Sequence, residues 1–282
     1  MKAGVSVSMV LYKTPIEKVR SLLEDLDNQE PIEKIVIVDN SPYDCYSLLR
    51  TRDKVEWIRP GTNLGFGKAH NLAFRRCRNV SIYHLVVNPD VRIPSGAIEK
   101  LMEYMDQQMD VGLIQPLILY PDGEVQHVCK LLPHPIDLFA RRFIPVPRIQ
   151  ALWNRHLELR DVFGYDSLAE IPWLSGSFLF LRTSLARQIG LFDERFFLYM
   201  EDVDLSRRMA KVGRNVFFPK ISITHEYQKE SYTSIRGLLM HLQSAIRYFN
   251  KWGWIFDHER KEVNKHVRQT LLIANKEGGP AE

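Results

Sequence analysis

Hydrophobic positions in the first half of the chain alternate between short continuous runs and stretches with helical spacing. The runs over 5–12, 35–38, 55–58 and 82–87 predict β-strands, because they are short, rich in branched side chains and bounded by turn residues. Between them, apolar side chains recur every three or four positions, which predicts helices opened by Pro15, over 68–76 and after Gly96. This alternation favours an α/β fold with a mostly parallel sheet and helices on both faces.

The second half departs from this alternation. The segment 130–160 contains four prolines and six Lys or Arg against two acids, so we expect a basic insertion that forms a long functional or mobile loop with some helix. Strand character returns over 173–181 and 216–224, and a helix over 201–211 is closed by Gly213. A further helical stripe runs over 235–254, a stretch without any acidic residue.

Composition narrows the classes of protein to which the chain can belong. Its 282 residues are 45% hydrophobic and 26% charged, the balance of an ordinary globular protein. A net charge of +4 is too small to indicate nucleic-acid binding, and no nucleic-acid partner is expected. The three scattered cysteines form no CxxC motif, which favours reduced thiols in the cytoplasm. No run is long enough to cross a bilayer and residues 1–10 do not resemble a signal peptide, so we expect a cytoplasmic location.

Common catalytic motifs do not fit the chain. The glycines at 65 and 67 precede Lys68, but the spacing from Gly61 is one residue too long for a phosphate-binding loop, and Ala69 stands where Ser or Thr would bind magnesium. The order around Gly176 is not that of a GxSxG nucleophile elbow, and HExxH does not occur. The corresponding nucleotide hydrolases, esterases and zinc proteases are set aside.

Four separated segments fit one scheme. They are Asp-Asn-Ser at 39–41, NLGFGKAHN at 63–71, Asn-Pro-Asp at 88–90 and FFLYMEDVDLSRR at 196–208. Together they resemble the family 2 inverting glycosyltransferases of the GT-A fold over about 5–227, most like bacterial rhamnosyltransferases of surface-polysaccharide synthesis. The resemblance implies a Rossmann-like twisted sheet flanked by helices, with a nucleotide-sugar-binding catalytic domain over 1–228 and a C-terminal helical extension over 229–282.

The resemblance also implies a set of nucleotide-binding residues, each with a plainer alternative. Asp39 can accept a hydrogen bond from N3–H of uracil or thymine, or it can cap its own turn. Tyr12 can stack on the base or serve as an ordinary rim residue. The glycines can bring backbone amides near the diphosphate or simply form a turn, and Lys68 and Arg207 can contact phosphate or remain solvated. The full set is Tyr12, Asp39, Asn63, Gly65, Gly67, Lys68 and Asn88.

A divalent cation, Mg²⁺ or Mn²⁺, is expected to neutralise the donor diphosphate. By resemblance, residues 88–90 correspond to the DxD motif and Asp90 is the matching ligand. The first position is the neutral Asn88, a departure from that motif. His225, at the end of a predicted strand, can add a second ligand or be a surface histidine.

Catalysis with inversion requires a base for the acceptor hydroxyl. By resemblance, Asp202 is that base and Glu201 orients the acceptor or supports the loop; alternatively, both acids only favour the positive end of a helix. Asp204 is expected to form a surface pair with Arg207. Trp173 and Gly176 resemble an acceptor-side segment, in which Trp173 either faces a sugar ring or belongs to the core.

The implied partners follow from this chemistry. The donor is a dTDP- or UDP-sugar, with dTDP-L-rhamnose the first to try, and the acceptor is a glycan or a polyprenyl-diphosphate-linked sugar. The basic and aromatic residues of 235–254, together with Arg141, Arg142, Arg148 and Arg155, suit the inner membrane surface, or the helix docks on its own domain or in a homodimer. Two other classes stay open, a nucleotidyltransferase and a non-catalytic sugar-nucleotide-binding protein.

Overall fold

The structure is a computed structural model that describes residues 2–77, 79, 81–138, 147–226 and 235–277. Its central feature is a mixed nine-stranded sheet. The strands are β1 (Lys2–Leu11), β2 (Ile32–Asp39), β3 (Val55–Ile58), β4 (Ser81–Val87), β5 (Val91–Arg92), β6 (Val111–Leu119), β7 (Ala169–Glu170), β8 (Phe178–Arg182) and β9 (Arg214–His225). Their order is β3-β2-β1-β4-β8-β6-β9-β5, and β7 pairs with β9.

The main helices of the described residues follow the chain between and after these strands. They are α1 (Ile16–Asp27), α2 (Phe66–Cys77), α3 (Ala97–Gln107), α4 (Pro147–Leu157), α5 (Thr183–Ile189), α6 (Glu201–Met209), α7 (Ile235–Trp252) and α8 (His258–Glu277). The apolar faces of α1 and α3 pack on one side of the sheet, and residues from α2, α5, α6 and α8 contribute to clusters on the other. The α/β fold expected from the alternation is therefore confirmed.

The sheet is parallel from β3 to β4 and again between β6 and β9, whereas β8 runs antiparallel between these two parts. In the parallel part, Leu11 lies opposite Asp39, and Met9 lies opposite Val87. The carboxyl ends of β1, β2 and β4 therefore meet at one edge, where ligands bind in sheets of this kind. Tyr12, Asp39 and Asn88 all lie at this edge.

Several predicted elements differ from those observed. The strand expected over 173–181 begins only at Phe178, because residues 173–177 leave the sheet to contact α6. Strand β6 and helix α5 were not predicted, whereas α8 lies in the C-terminal helical extension expected over 229–282. The expected insertion includes α4, but residues 139–146, with Arg141 and Arg142, lie outside the described part. No helix in the described ranges is long and apolar enough to span a membrane.

Candidate active site

The end of β2 carries a buried carboxylate, Asp39, and only one of its two oxygens accepts a hydrogen bond from the described residues. Asp39 Oδ1 accepts a hydrogen bond from the amide of Ser41 at 2.9 Å, so the turn-capping role holds. Its Oδ2 is buried and has no hydrogen-bond partner among the described residues, although Arg59 Nε lies 3.4 Å away. A buried carboxylate oxygen in this state can accept a hydrogen bond from a ligand.

The neighbouring Asn40 fastens the glycine-rich segment to this strand end. Its Nδ2 donates to the carbonyl of Gly65 at 3.1 Å, and its Oδ1 accepts from the amide of Leu64 at 3.3 Å. Asn63 Oδ1 accepts from the amide of Gly65 at 2.9 Å. The side chain of Asn63 therefore shapes the loop, and the Gly65 amide is already hydrogen-bonded within the protein.

Gly65 and Gly67 allow a second loop, residues 192–197, to pack closely against this segment. Gly65 has φ +79°, and a Cβ there would overlap the carbonyl of Phe197 and lie 2.8 Å from its ring. That carbonyl accepts from the Phe66 amide at 2.8 Å. At Gly67, a Cβ would lie 3.0 Å from that of Phe192. Close packing is thus a sufficient reason for both glycines, whereas the approach to a diphosphate stays a prediction.

Asp90 and His225 come together across a strand pair. Val91 of β5 pairs with His225 of β9, and this brings His225 Nε2 to 3.3 Å from Asp90 Oδ1. Gln126 holds the other side of the ring, since its Oε1 lies 3.0 Å from His225 Nδ1 and its Nε2 donates to the His225 carbonyl at 2.6 Å. An amide oxygen only accepts, so Nδ1 carries a proton, and Nε2 is the ring nitrogen that faces Asp90.

This pair has the chemistry of a partial metal site. A carboxylate and an imidazole nitrogen held 3.3 Å apart can bind one divalent cation. No cluster of three or more His, Cys, Asp or Glu suited to a metal occurs among the described residues. Gln126 was not anticipated, because no motif surrounds it and its role appears only when the ring of His225 is in place.

The helix that carries Glu201 and Asp202 begins after a strained turn. Tyr199 and Met200 have φ +69° and +67°, values that residues other than glycine rarely adopt. Asp202 is half-buried; its Oδ2 accepts from the amide of Gly176 at 3.1 Å, and its Oδ1 accepts from that of Val203 at 2.8 Å. The turn and two amides thus fix the direction of this carboxylate.

Glu201 has a different environment from its neighbour. Its side chain is buried, and Oε2 has no hydrogen-bond partner within the described part of the chain. Burial, and then the charge of Asp202, raise the pKa of Glu201 to about 8. Glu201 is therefore mostly protonated at neutral pH, and its burial fits support of the loop better than contact with an acceptor.

Residues 175–177 join the Asp202 carboxylate to the end of β4. The Gly176 amide binds Asp202, and the Ser177 carbonyl accepts from the amide of Asn88 at 2.9 Å. A Cβ at Gly176 would lie 3.4 Å from that of Asp202 and 3.6 Å from the ring of Phe66. The structure thus connects the motif at 88–90, the motif at 201–202 and the glycine-rich segment through direct contacts.

Two expectations for the same helix are wrong. Asp204 and Arg207 do not form a surface pair, since both are buried. Asp204 instead accepts from Arg208 Nε at 2.7 Å and from Lys251 Nζ at 2.6 Å. Arg207 makes two 2.7 Å hydrogen bonds to Asp257, so it is neither solvated nor a phosphate contact. The cause is that α7 and α8 cover this face, which the sequence pattern did not reveal.

The remaining predicted residues divide between core and surface. Trp173 is buried with Phe196 and Phe249, which supports its core alternative over a sugar-facing role. Tyr12 is 45% exposed at the edge where β1 ends, in reach of a ligand. Lys68 is exposed on α2 and borders a cleft between that helix and α7.

Comparisons with known proteins bear on the family to which the chain belongs. Residues 6–143 match the family Glycosyl transferase family 2, and residues 85–275 match Glycosyl transferase family group 2. The chain is 31% identical over 215 residues to N-acetylglucosaminyl-diphospho-decaprenol L-rhamnosyltransferase of Mycobacterium tuberculosis, which covers 71% of this chain and 68% of the relative. It is 24% identical over 246 residues to Rhamnosyltransferase WbbL of Escherichia coli K12, covering 82% and 87%.

The fold is also similar to that of GalNAc-T7, solved with UDP, GalNAc and Mn²⁺. The TM-score is 0.62 at 13% identity, over 80% of this chain and 44% of the other. These matches set aside the alternatives of a nucleotidyltransferase and a non-catalytic binding protein. The extent of the family match, the identity to a rhamnosyltransferase and the architecture of the sheet lead to one conclusion: the chain belongs to the family 2 glycosyltransferases.

Proposed function

We propose that the chain transfers a sugar with inversion from a nucleotide diphosphate, with dTDP-L-rhamnose the first donor to try, to a glycan or a polyprenyl-diphosphate-linked acceptor in surface-polysaccharide synthesis. The rhamnosyl assignment is supported by the names of the two relatives. The observation that carries the reaction is the half-buried Asp202 carboxylate. The amides of Gly176 and Val203 fix this carboxylate, and Ser177, next to Gly176, binds Asn88. A base held rigidly in one direction is what inversion by direct displacement requires.

In this proposal an acceptor hydroxyl attacks the anomeric carbon while Asp202 takes its proton. The bond from that carbon to the diphosphate oxygen breaks, and the nucleoside diphosphate leaves on the opposite face. Glu201, uncharged at neutral pH because burial raises its pKa to about 8, adds no second negative charge to the base. Asp202 then remains the proton acceptor in the pair.

The donor is held at the strand ends. The buried Oδ2 of Asp39 accepts the N3–H of thymine or uracil, and Tyr12 offers its exposed ring to the base. Asp90 and His225 would hold Mg²⁺ or Mn²⁺ beside the diphosphate. When bound, the cation supplies Lewis-acid stabilisation of the charge on the leaving diphosphate.

The proposal is tested first by donor binding. We expect dTDP-L-rhamnose to raise the melting temperature more than UDP-, GDP- or CMP-sugars, and more with Mg²⁺ or Mn²⁺ than with a chelator. Asp90→Ala should lose the cation-dependent part of the shift but retain the rest. Absence of any shift with all four nucleotide classes, or full turnover in chelator, would contradict the donor and metal assignments respectively.

A further inference from the structure

Helix α7 has one face that is committed to the catalytic domain. Tyr248 and Phe249 are buried, and they pack in one cluster with Trp173 and Phe196. Lys251 Nζ lies 2.6 Å from Asp204 and 2.8 Å from Asp193. Tyr248, Phe249 and Lys251 therefore bind the protein itself, so these three residues cannot provide the expected contact with lipid.

The opposite face of α7 is apolar and exposed. Ile235, Leu239, Leu242 and Ile246 are 80%, 61%, 42% and 48% exposed, and their spacing of four, three and four places them in one line along the helix. Directly after the helix, Trp254 is 44% exposed, and its ring lies 5.2 Å from that of Phe249. We call the apolar stripe the set Ile235, Leu239, Leu242, Ile246, Trp254, Ile255 and Phe256.

This exposure is concentrated rather than scattered. The stripe contains seven of the seventeen large hydrophobic side chains that are exposed in the described parts of the chain, all within residues 235–256. Ile255 and Phe256 are 69% and 97% exposed at its end. Single exposed apolar residues are normal on a protein surface, whereas a set of this size within one short segment marks a surface that contacts something apolar.

Positive charge lies along one edge of the stripe. A cleft of about 760 Å³ separates α7 from the segments 62–68 and 194–197, and its walls include Lys68, Arg195, Arg247 and Lys251. Arg195 and Lys251 are paired with Asp193, and the one acid in the wall, Glu194, is paired with Arg75. Neither Lys68 nor Arg247 has a carboxylate within ion-pairing distance among the described residues.

We propose that the apolar stripe and the cations beside it seat the enzyme on an anionic lipid bilayer. The aliphatic side chains and Phe256 enter the boundary between headgroups and acyl chains, while Arg247 and Lys68 meet the lipid phosphates. The indole of Trp254, whose Nε1 donates to Asn250 at 2.8 Å, is suited to the same boundary. Charge favours this occupant, because lipid phosphates complement the cations beside the stripe, whereas an antiparallel symmetric dimer through the stripe would bring two copies of the same cationic edge together.

This inference rests on the proposed function in one respect, since a polyprenyl-linked acceptor lies in the bilayer. Asn63 lines the cleft and also shapes the loop beside the strand ends. Docking through the stripe therefore brings the donor-binding edge close to the lipid surface, where a lipid-linked acceptor is presented.

The test is sedimentation of the full chain with vesicles, in the absence of donor and acceptor. Wild-type protein should pellet with phosphatidylcholine vesicles that contain phosphatidylglycerol at about 0.1 M salt, and much less at about 1 M, where the Debye length falls from about 10 Å to about 3 Å. Leu239→Glu with Ile246→Glu should reduce binding by about tenfold or more. Leu272→Glu with Ile273→Glu, on exposed positions of α8, is the matched control and should bind like wild type.

The result that overturns the inference is wild-type protein that stays in solution with anionic vesicles at low salt, or a stripe variant that pellets like the control. A second outcome also overturns the inference: wild-type protein forms a dimer and does not bind vesicles, and the stripe variant is a monomer. The stripe would then be the interface with a second copy of the chain. Turnover of a short, water-soluble acceptor should be equal in all three proteins. If none of them turns over while wild type still binds vesicles, the proposed function fails and the docking surface stands.

Discussion

The close approach of Gly65 to Phe197 gives a prediction whose size can be worked out. An alanine there takes an unfavourable positive φ of 79°, which costs about 1–2 kcal/mol. Its Cβ would also overlap the Phe197 carbonyl and lie 2.8 Å from the ring, so the loop 192–197 must move. Losing the hydrogen bond from the Phe66 amide to that carbonyl adds about 0.5–1.5 kcal/mol, and the displaced packing adds about 1–2 kcal/mol.

Gly61 provides the matched control. It has φ +78°, almost the same backbone conformation, but a Cβ there meets nothing within 4 Å. Gly61→Ala therefore reports the backbone cost alone, whereas Gly65→Ala reports that cost plus the displacement of the loop. The expected difference of about 1.5–3.5 kcal/mol corresponds to roughly 3–14 °C in melting temperature at about 2–4 °C per kcal/mol.

The assay is thermal unfolding of both variants, followed by turnover of the one that folds. Phe197 precedes Asp202 by five residues, so we expect Gly65→Ala to lower turnover even at temperatures where it is fully folded. Equal melting temperatures for the two alanine variants would refute the reasoning, because the contact with Phe197 would then cost nothing. Normal turnover of a destabilised Gly65→Ala variant would show that the conformation of the loop 192–197 does not affect the position of Asp202.

Three further outcomes follow from the site. Asp202→Asn should bind donor normally but lower turnover by a factor on the order of hundreds, measured as initial rate; an unchanged rate would remove it as the base. Because the pKa of Glu201 is raised, the folded state holds a proton that the unfolded state loses, so stability should fall as pH rises from about 4.5 to about 8. In Glu201→Gln melting curves this fall should be smaller, and an identical pH profile would contradict the raised pKa. Arg207→Met strands a buried carboxylate and should cost about 3–5 kcal/mol in denaturant unfolding, whereas Arg195→Met, at an exposed pair, should cost less than about 1 kcal/mol; similar losses would contradict the buried pair.

Much of the fold follows from local pattern, because apolar periodicity reports burial directly. The first four long strands and the helices between them were predicted within a few residues of their observed bounds. Strand β6 was missed because Gly112 and Pro116 interrupt an otherwise apolar run. Residues 173–177 were taken as strand because they are mostly apolar or small, yet their backbone turns away to reach Asp202.

In the candidate site, too, residues in local motifs could be predicted from the sequence, whereas contacts between distant residues could not. Short motifs after strands pointed to Asp39 and Asp90, since the carboxyl ends of parallel strands share one edge. Asp202 came instead from the resemblance of the segment that opens α6. Gln126 and the burial of Arg207 depend on partners 99 and 50 residues away, and no local spacing encodes such contacts. Trp173 was left between core and sugar contact, and the packing of Phe249 from the distant α7 supports the core.

Helix α6 carries important side chains on two different faces. In the proposed function Asp202 faces the substrate. Two and five residues later, Asp204 forms an ion pair with Lys251 of α7, and Arg207 forms one with Asp257, just before α8. A truncation after residue 228 would remove the partners Lys251 and Asp257, and the side chains of Asp204 and Arg207 would then face solvent. Sequence changes in the C-terminal helices can therefore alter the reaction rate without any contact with either substrate, and attempts to graft or shorten this tail should treat it as part of the catalytic unit.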